Sequence, residues 1–333
     1  MAAAIAGVLI YRTSSLPAFD WHLVLDSLAH MRVAWLLAAV LAIFATYVGR
    51  ALRWALFLRP LKETPSFANL LSSTIIGYTA ITILGRPGEF VRPYLIASKE
   101  HLPVASQLAA WVLERIFDLL MALVILGFAL TRVHASGVAV GPTLAWILAT
   151  GGRVVVVAGG ILIVLVLFLR HFAEPARRGL IRVLRFLPET QFLQMEKLVT
   201  AFVQGVESTR SDATLLLVLL YSIAEWLLIW ACYWCLAAAF RDLSLTYVDV
   251  LILMGLVNFG TIVQIPGIGG GVQLVAILVL TELFRVRVEV ATAFAVMLWI
   301  FTFVIIVPVG LILTLKEGLD WKRLRRARRE AVI

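Results

Sequence analysis

Charge is scarce in this 333-residue chain: only 15% of its residues are Asp, Glu, Lys or Arg, against about 25% in a soluble domain. That scarcity excludes an ordinary water-soluble fold. In its place stand 62% hydrophobic residues and a mean hydropathy of +0.98, the composition of a polytopic membrane protein. Cysteine is nearly missing as well, with Cys232 and Cys235 alone, in a CYWC run inside an apolar segment. A disulfide framework is excluded, and without a soluble fold around it the pair reads as core packing and not as a redox couple. The histidines, His22, His30, His101, His134 and His171, fall in loops or at span ends without H-E-x-x-H or Cys/His spacing, so no metal site is expected. No cofactor is expected either. The run Pro266 to Gly271 has neither the GKS or GKT ending nor the βαβ setting of a nucleotide loop. The net charge of +9 comes without a nucleic-acid-binding motif, and its basic residues gather beside apolar runs, where they report topology.

Val33 to Tyr47, Leu108 to Leu130, Leu144 to Leu169, Thr214 to Phe240 and Val290 to Leu315 are long and apolar enough to cross a membrane, given about 20 residues per span. Ala2 to Tyr11 reads as a short first span or the end of one that begins earlier. No basic residue precedes it, which argues against a cleaved signal peptide. Arg50, Arg53, Arg59 and Lys62 follow the second span, Arg170, Arg177, Arg178, Arg182 and Arg185 follow the fourth, and Lys316, Lys322, Arg323, Arg325, Arg326, Arg328 and Arg329 form the tail. The excess of Lys and Arg places these regions in the cytoplasm, with both termini inside, and places His134 to Pro142 and Arg241 to Asp249 outside.

Two apolar segments do not fit as ordinary spans under this topology. Residues 67–97 must begin and end inside, and residues 248–284 must begin and end outside. Each is broken by a Pro-Gly element, Arg86-Pro87-Gly88 and Pro266-Gly267-Ile268-Gly269-Gly270-Gly271, which suits the tip of a re-entrant hairpin. The expected fold is therefore an all-α polytopic membrane protein, with about six transmembrane helices and two re-entrant helical hairpins. A single membrane domain over 1–333 divides into a first repeat, 1–135, and an inverted second repeat, 143–316, followed by a basic cytoplasmic tail, 317–333. The plainer alternative is that both hairpins cross, giving an eight-helix bundle. Residues 174–210, with Leu180, Leu184, Leu187, Leu198 and Phe202 at roughly helical spacing, read as cytoplasmic amphipathic helices or as a plain linker.

Ionisable residues inside these segments mark candidate function, because charge at membrane depth is costly. Arg86, Glu89 and Arg92 surround the first break; two guanidiniums beside a helix start suit an anionic head group, whereas a Glu89–Arg92 pair would be structural. In LERIFD, Glu114 and Asp118 are four apart on one helix face and repel each other unless Arg115 or a hairpin arginine compensates. The alternative is a shared proton and a relay role. Around the second break, Asn258, Gln264 and Gln273 offer amides, and Gly267, Gly269 and Gly270 offer free backbone groups, to a head group or ester. Glu225 is deep enough to pair with an arginine across the bundle, and Glu282 sits at the interface. Trp226, Trp230 and Trp234 form an aromatic stripe suited to helix packing or an interfacial belt.

Three motifs in order, ILGRPGEFVRPYL, then VLERIFD at Val112 to Asp118, then IPGIGGGVQLVAILVL, resemble the flippase-like transmembrane domain of lysylphosphatidylglycerol synthases. Nearly the whole chain takes part in the likeness. It implies an inner-membrane protein that moves a lipid between leaflets or assists an enzyme that uses one, in a family whose members are associated with aminoacylated phospholipids, polyprenyl-phosphate sugars and hopanoids. Gln273 stands where the family motif usually carries a glutamate, and the lack of a soluble aminoacyltransferase segment gives the chain the look of a stand-alone member. The leading expectation is a translocator of an anionic or head-group-modified lipid, without catalysis. The alternatives are a membrane-embedded transferase and an accessory scaffold acting on a lipid-linked substrate. The expected partners are membrane lipid, a lipid-synthesis enzyme and further copies of the chain, and no nucleic acid.

Overall fold

Asp20 accepts a hydrogen bond from the His22 amide at 2.8 Å and so starts a short helix, α1, Trp21–Ala29. The computed structural model describes residues 19–136, 140–184, 212–260, 264–265 and 269–318, with isolated pieces between 192 and 203. Apart from two paired two-residue strands these residues are built from helices. They are α2 (Val33–Leu58), α3 (Phe67–Leu84), α4 (Val91–Glu100), α5 (Val104–Ser136), α6 (Pro142–Leu184), α7 (Asp212–Ala239), α8 (Tyr247–Gly260), α9 (Gly271–Leu278), α10 (Val288–Trp299) and α11 (Ile306–Lys316). Among the described residues six helical stretches are long and apolar enough to span: 33–58, 67–84, 104–135, 142–162, 213–239 and 288–316. The protein is thus a multi-pass membrane protein.

Five of those stretches overlap the expected spans, although 142–162 stops short of the expected end at Leu169 and 213–239 stops one residue before Phe240. The sixth is α3, which the sequence assigns to one limb of a hairpin, while Ala2 to Tyr11 lies outside the described residues. Two boundaries are corrected. α2 does not stop near Tyr47 but runs to Leu58, so Arg50 and Arg53 belong to an apolar helix and not to a basic loop. α6 continues through Pro175 to Leu184, so the first part of the 174–210 segment prolongs a spanning helix; most of the remainder, and residues 319–333, lie outside the described residues.

Gly85, with φ 71°, ends α3 in a conformation that a side chain would strain. A 3-10 turn over Arg86–Phe90 follows, and α4 returns along α3. The two limbs touch backbone to backbone: a Cβ on Gly77 would fall 2.5 Å from Cβ of Arg92, and one on Gly88 would overlap the Ala80 backbone. The base of this hairpin is tied. Glu100 accepts from Lys62 Nζ at 2.7 Å, Asn69 Nδ2 at 2.7 Å and the Ser66 amide at 3.3 Å, so the chain leaves α4 where it entered α3. Burial pushes the Glu100 carboxyl up, but these hydrogen bonds outweigh burial and hold it below the usual carboxylate range.

The second broken segment is built similarly. α8 and α9 are joined through antiparallel strands β1 (Gln264–Ile265) and β2 (Gly269–Gly270), and Gly260 lies so close to Gly271 that an added Cβ would fall 2.5 Å from its carbonyl oxygen. A π-helical turn at Val279–Leu283 extends α9, and there Glu282 accepts from the Gly141 amide at 2.8 Å.

The halves interlock. α2 packs along α7, α3 packs on α11, and α8 packs on α5. On α11, Gly310 admits Thr79 so closely that a Cβ there would overlap it, and Thr79 donates to the Ile306 carbonyl at 3.3 Å. Thr82 donates to the Phe303 carbonyl at 3.3 Å, in the π-helical stretch Ile300–Val304 where the ordinary helical ladder is interrupted.

Two outcomes follow from the first hairpin. Gly88→Ala should cost about 1–3 kcal/mol, because the methyl meets backbone that cannot move aside, whereas Gly152→Ala, with open space around it, should stay within about 0.5 kcal/mol of the parent; thermal denaturation of the purified protein compares them. The lowered pKa of Glu100 adds stability above the unfolded carboxylate value of about 4.3, and this is lost as pH falls through the lower folded value. Glu100→Gln should therefore flatten the fall of melting temperature with pH below about 4.3.

Candidate functional site

Arg50 and Arg53, three apart on α2, face Ser222 and Glu225, three apart on α7, where these two helices pack together. Arg53 is the centre. Its Nη2 lies 3.0 Å from Glu114, 2.8 Å from Asp118 and 3.2 Å from Glu225, and its Nη1 donates to Ser222 Oγ at 2.9 Å. Its side chain is 0% exposed. Arg50 reaches Glu225 at 2.5 Å and Asp118 at 3.8 Å, and donates to the Tyr78 hydroxyl on α3. Arg92 on α4 donates through Nη1 to both oxygens of Glu114 at 2.9 Å and through Nη2 to the Arg50 carbonyl at 3.1 Å. Its guanidinium lies over the Trp54 ring at 4.1 Å, and Trp54 in turn donates to Gln107 at 3.0 Å.

The network thus joins α2, α3, α4, α5 and α7. It holds Arg50, Arg53, Arg92 and Arg115 against Glu114, Asp118 and Glu225, four positive charges against three negative. Glu225 lies within ion-pair distance of two arginines but outside hydrogen-bond alignment with either. The surplus charge is placed at an open edge. Arg115, 38% exposed, sits 3.6 Å from Glu114, 3.7 Å from Asp118 and 3.5 Å from the Tyr78 hydroxyl, with longer and weaker contacts than the inner arginines.

The structure brings Arg92, Glu114, Arg115 and Asp118 together and leaves Arg86 and Glu89 apart. Arg86 is exposed at the tip of the first hairpin, Glu89 is half-buried, and neither makes an ion pair or hydrogen bond among the described residues. Glu89 and Arg92 do not pair; Arg92 turns inward to Glu114 instead. Glu114 and Asp118 escape mutual repulsion through Arg53, which reaches both carboxylates, and Glu225 pairs across the bundle with Arg50 and Arg53. In the second hairpin, Gln273 accepts from the Gly270 amide at 2.7 Å and so caps α9, and Asn258 donates to the Met254 carbonyl at 2.8 Å within its own helix. Gly269 and Gly270 form the second strand of the small pair, Gln264 is placed by its backbone in the first, and Gly267 lies outside the described residues.

Arg50, Arg53, Tyr78 and Ser222 are members of the network that sequence reasoning missed. A signal was there for the arginines: RALRWALFL continues the apolar run of α2 past both of them, which marks them as intramembrane charges. Tyr78 and Ser222 carry no such mark. Of the tryptophan stripe, Trp234 stacks on both Trp230 and Tyr247 while Trp226 is buried in the core.

The sequence model of one family, described as the lysylphosphatidylglycerol synthase TM region, matches residues 1–310. No curated protein and no solved structure matches the chain significantly.

Removing one member of the inner network strands its partners. Glu114→Ala should cost about 3–5 kcal/mol, since Arg53 and Arg92 lose a carboxylate where water cannot replace it. Arg92→Met combined with Glu114→Leu should recover a large part of that loss, and a double-mutant cycle on melting temperatures measures the coupling.

Proposed function

The chain belongs to the lysylphosphatidylglycerol synthase transmembrane-region family, and from that premise we propose that it carries an anionic or head-group-modified lipid between the leaflets of the bacterial inner membrane. The observation that carries this reading is the surplus guanidinium at the edge of the arginine network. A partly exposed arginine with one carboxylate too few around it suits a phosphate, which its planar fork binds through paired hydrogen bonds. Arg115 is the contact residue in this proposal, with Tyr78 beside it. Arg50, Arg53, Arg92, Glu114, Asp118 and Glu225 hold the surrounding charge in place. The lipid tail stays in the bilayer and the lipid leaves chemically unchanged.

The two hairpins support a transporter architecture. The first begins and ends at Glu100, and its 18-residue limb is about 27 Å long, slightly less than a hydrocarbon core of about 30 Å. That suits a re-entrant element dipping from the cytoplasmic face, with both termini inside. Exchanging the two halves maps α2 against α7 onto itself and maps α3 against α11 onto α8 against α5. This exchange supports the inverted-repeat reading, in which broken helices meet substrate near mid-membrane and the halves rock to alternate access. A lipid-synthesis enzyme is the natural neighbour of this activity.

Proteoliposomes with fluorescent phosphatidylglycerol test the proposal. Arg115→Gln should retain the parent's melting temperature and slow the loss of dithionite-protected fluorescence at least about tenfold, the equivalent of about 1.4 kcal/mol. Equal rates for the variant and the parent, or a covalently altered lipid in mass spectra of the recovered material, would overturn it.

A further inference from the structure

At the other end of α2 from Glu100, roughly 39 Å away along the helix, lies a cavity of about 480 Å³ that shares no residue with the arginine network. It opens between α1, the segment after α7 and the start of α10, so elements of both halves build it. Its polar lining is Asp26, Ser27, Asp242, Ser244, Arg285 and Arg287. Two carboxylates therefore face two guanidiniums, and the wall carries no net charge.

Three observations show a built site rather than a surface dimple. Ser27 is only 8% exposed, lines the cavity, and makes no hydrogen bond among the described residues, so a buried hydroxyl is directed at the space. Asp242 makes neither hydrogen bond nor ion pair there, although Asp26 has His30 at 3.0 Å and Arg287 has Glu289 at 3.7 Å. Arg285 holds φ at 56°, a left-handed backbone rarely adopted by a residue with a side chain, at the point where the chain turns into the cavity wall.

We propose that this cavity binds a small zwitterion, with its ammonium end at Asp242 and Asp26 and its phosphate or carboxylate end at Arg285 and Arg287. The charge balance selects the ligand. A net anion gains at the arginines and loses at the carboxylates, a cation does the reverse, and only a ligand carrying both charges gains at both ends. Ser27 donates to the anionic end or accepts from the ammonium. The ligand is either a free molecule such as phosphoethanolamine or the head group of phosphatidylethanolamine. The inference is independent of the transport reading, because it uses other residues and needs no movement of lipid.

The test uses the full chain in nanodiscs of phosphatidylglycerol. Isothermal titration with phosphoethanolamine should show binding at least tenfold tighter than with ethanolamine or inorganic phosphate alone, and Asp242→Asn, an exposed change that leaves folding intact, should weaken it at least tenfold. For the lipid source, the protein is taken from equal mixtures of phosphatidylethanolamine and phosphatidylglycerol and its retained lipid weighed by mass spectrometry. Enrichment of phosphatidylethanolamine that Asp242→Asn abolishes assigns the head group; phosphoethanolamine binding without enrichment assigns the free molecule. The proposal falls if neither ligand binds, if Asp242→Asn and Arg285→Gln bind as the parent does, or if a neutral sugar such as trehalose binds as tightly as phosphoethanolamine.

Discussion

A guanidinium removed from water at the heart of an apolar bundle must find its counter-charges within the protein, and in this chain that guanidinium is Arg53. Stranding it would cost several kcal/mol, so the helices that supply its three carboxylates are constrained to meet. α5 must present Glu114 and Asp118 on one face, and α7 must present Glu225 and Ser222. The ion pairs are therefore less a source of net stability than a condition on register. A helix that rotated by one residue would leave a charge unanswered where neither water nor lipid could solvate it.

The first hairpin depends on the same network. Arg92 reaches Glu114 only because α4 lies tight against α3, and it lies tight because Gly77 and Gly88 leave no side chain between the limbs. Trp54 covers the guanidinium from the other side, and Glu100 closes the base. The hairpin tip, with Gly85 and the exposed Arg86, is held by backbone packing and not by charge, which makes it the less constrained end of a firmly rooted element. Thr79 and Thr82 seat the same hairpin on carbonyls at and just beyond a π-helical interruption of the last helix.

The charge is unevenly distributed between the two ends of α2. Near its C-terminal half the arginines outnumber the carboxylates, and the least covered of them, Arg115, is 38% exposed; beyond its N-terminus a balanced cavity presents two charges of each sign. An unbalanced site and a balanced one select different ligands by elementary electrostatics, one an anion and the other a dipolar molecule. The two regions share no residue, so the transport proposal and the zwitterion proposal stand or fall separately.

Composition and periodicity alone determined that the chain is all-helical and multi-pass, since more than 20 consecutive apolar residues have no other stable form in a bilayer. The sequence also marked the Pro-Gly breaks, because Gly and Pro act on their own backbone, and it identified Glu114, Asp118 and Glu225 as intramembrane acids in need of partners. Which arginines answer them was decided by tertiary structure. Arg50 and Arg53 looked like loop charges because a helix end is set by its last packed turn, which no local signal records, and α2 runs on to Leu58. Arg86 and Arg92 looked equivalent, yet the rotation of the short helix after the turn sent one inward to Glu114 and left the other exposed. Partner choice among like charges depends on distances across helices far apart in sequence, and only the packed bundle sets those distances.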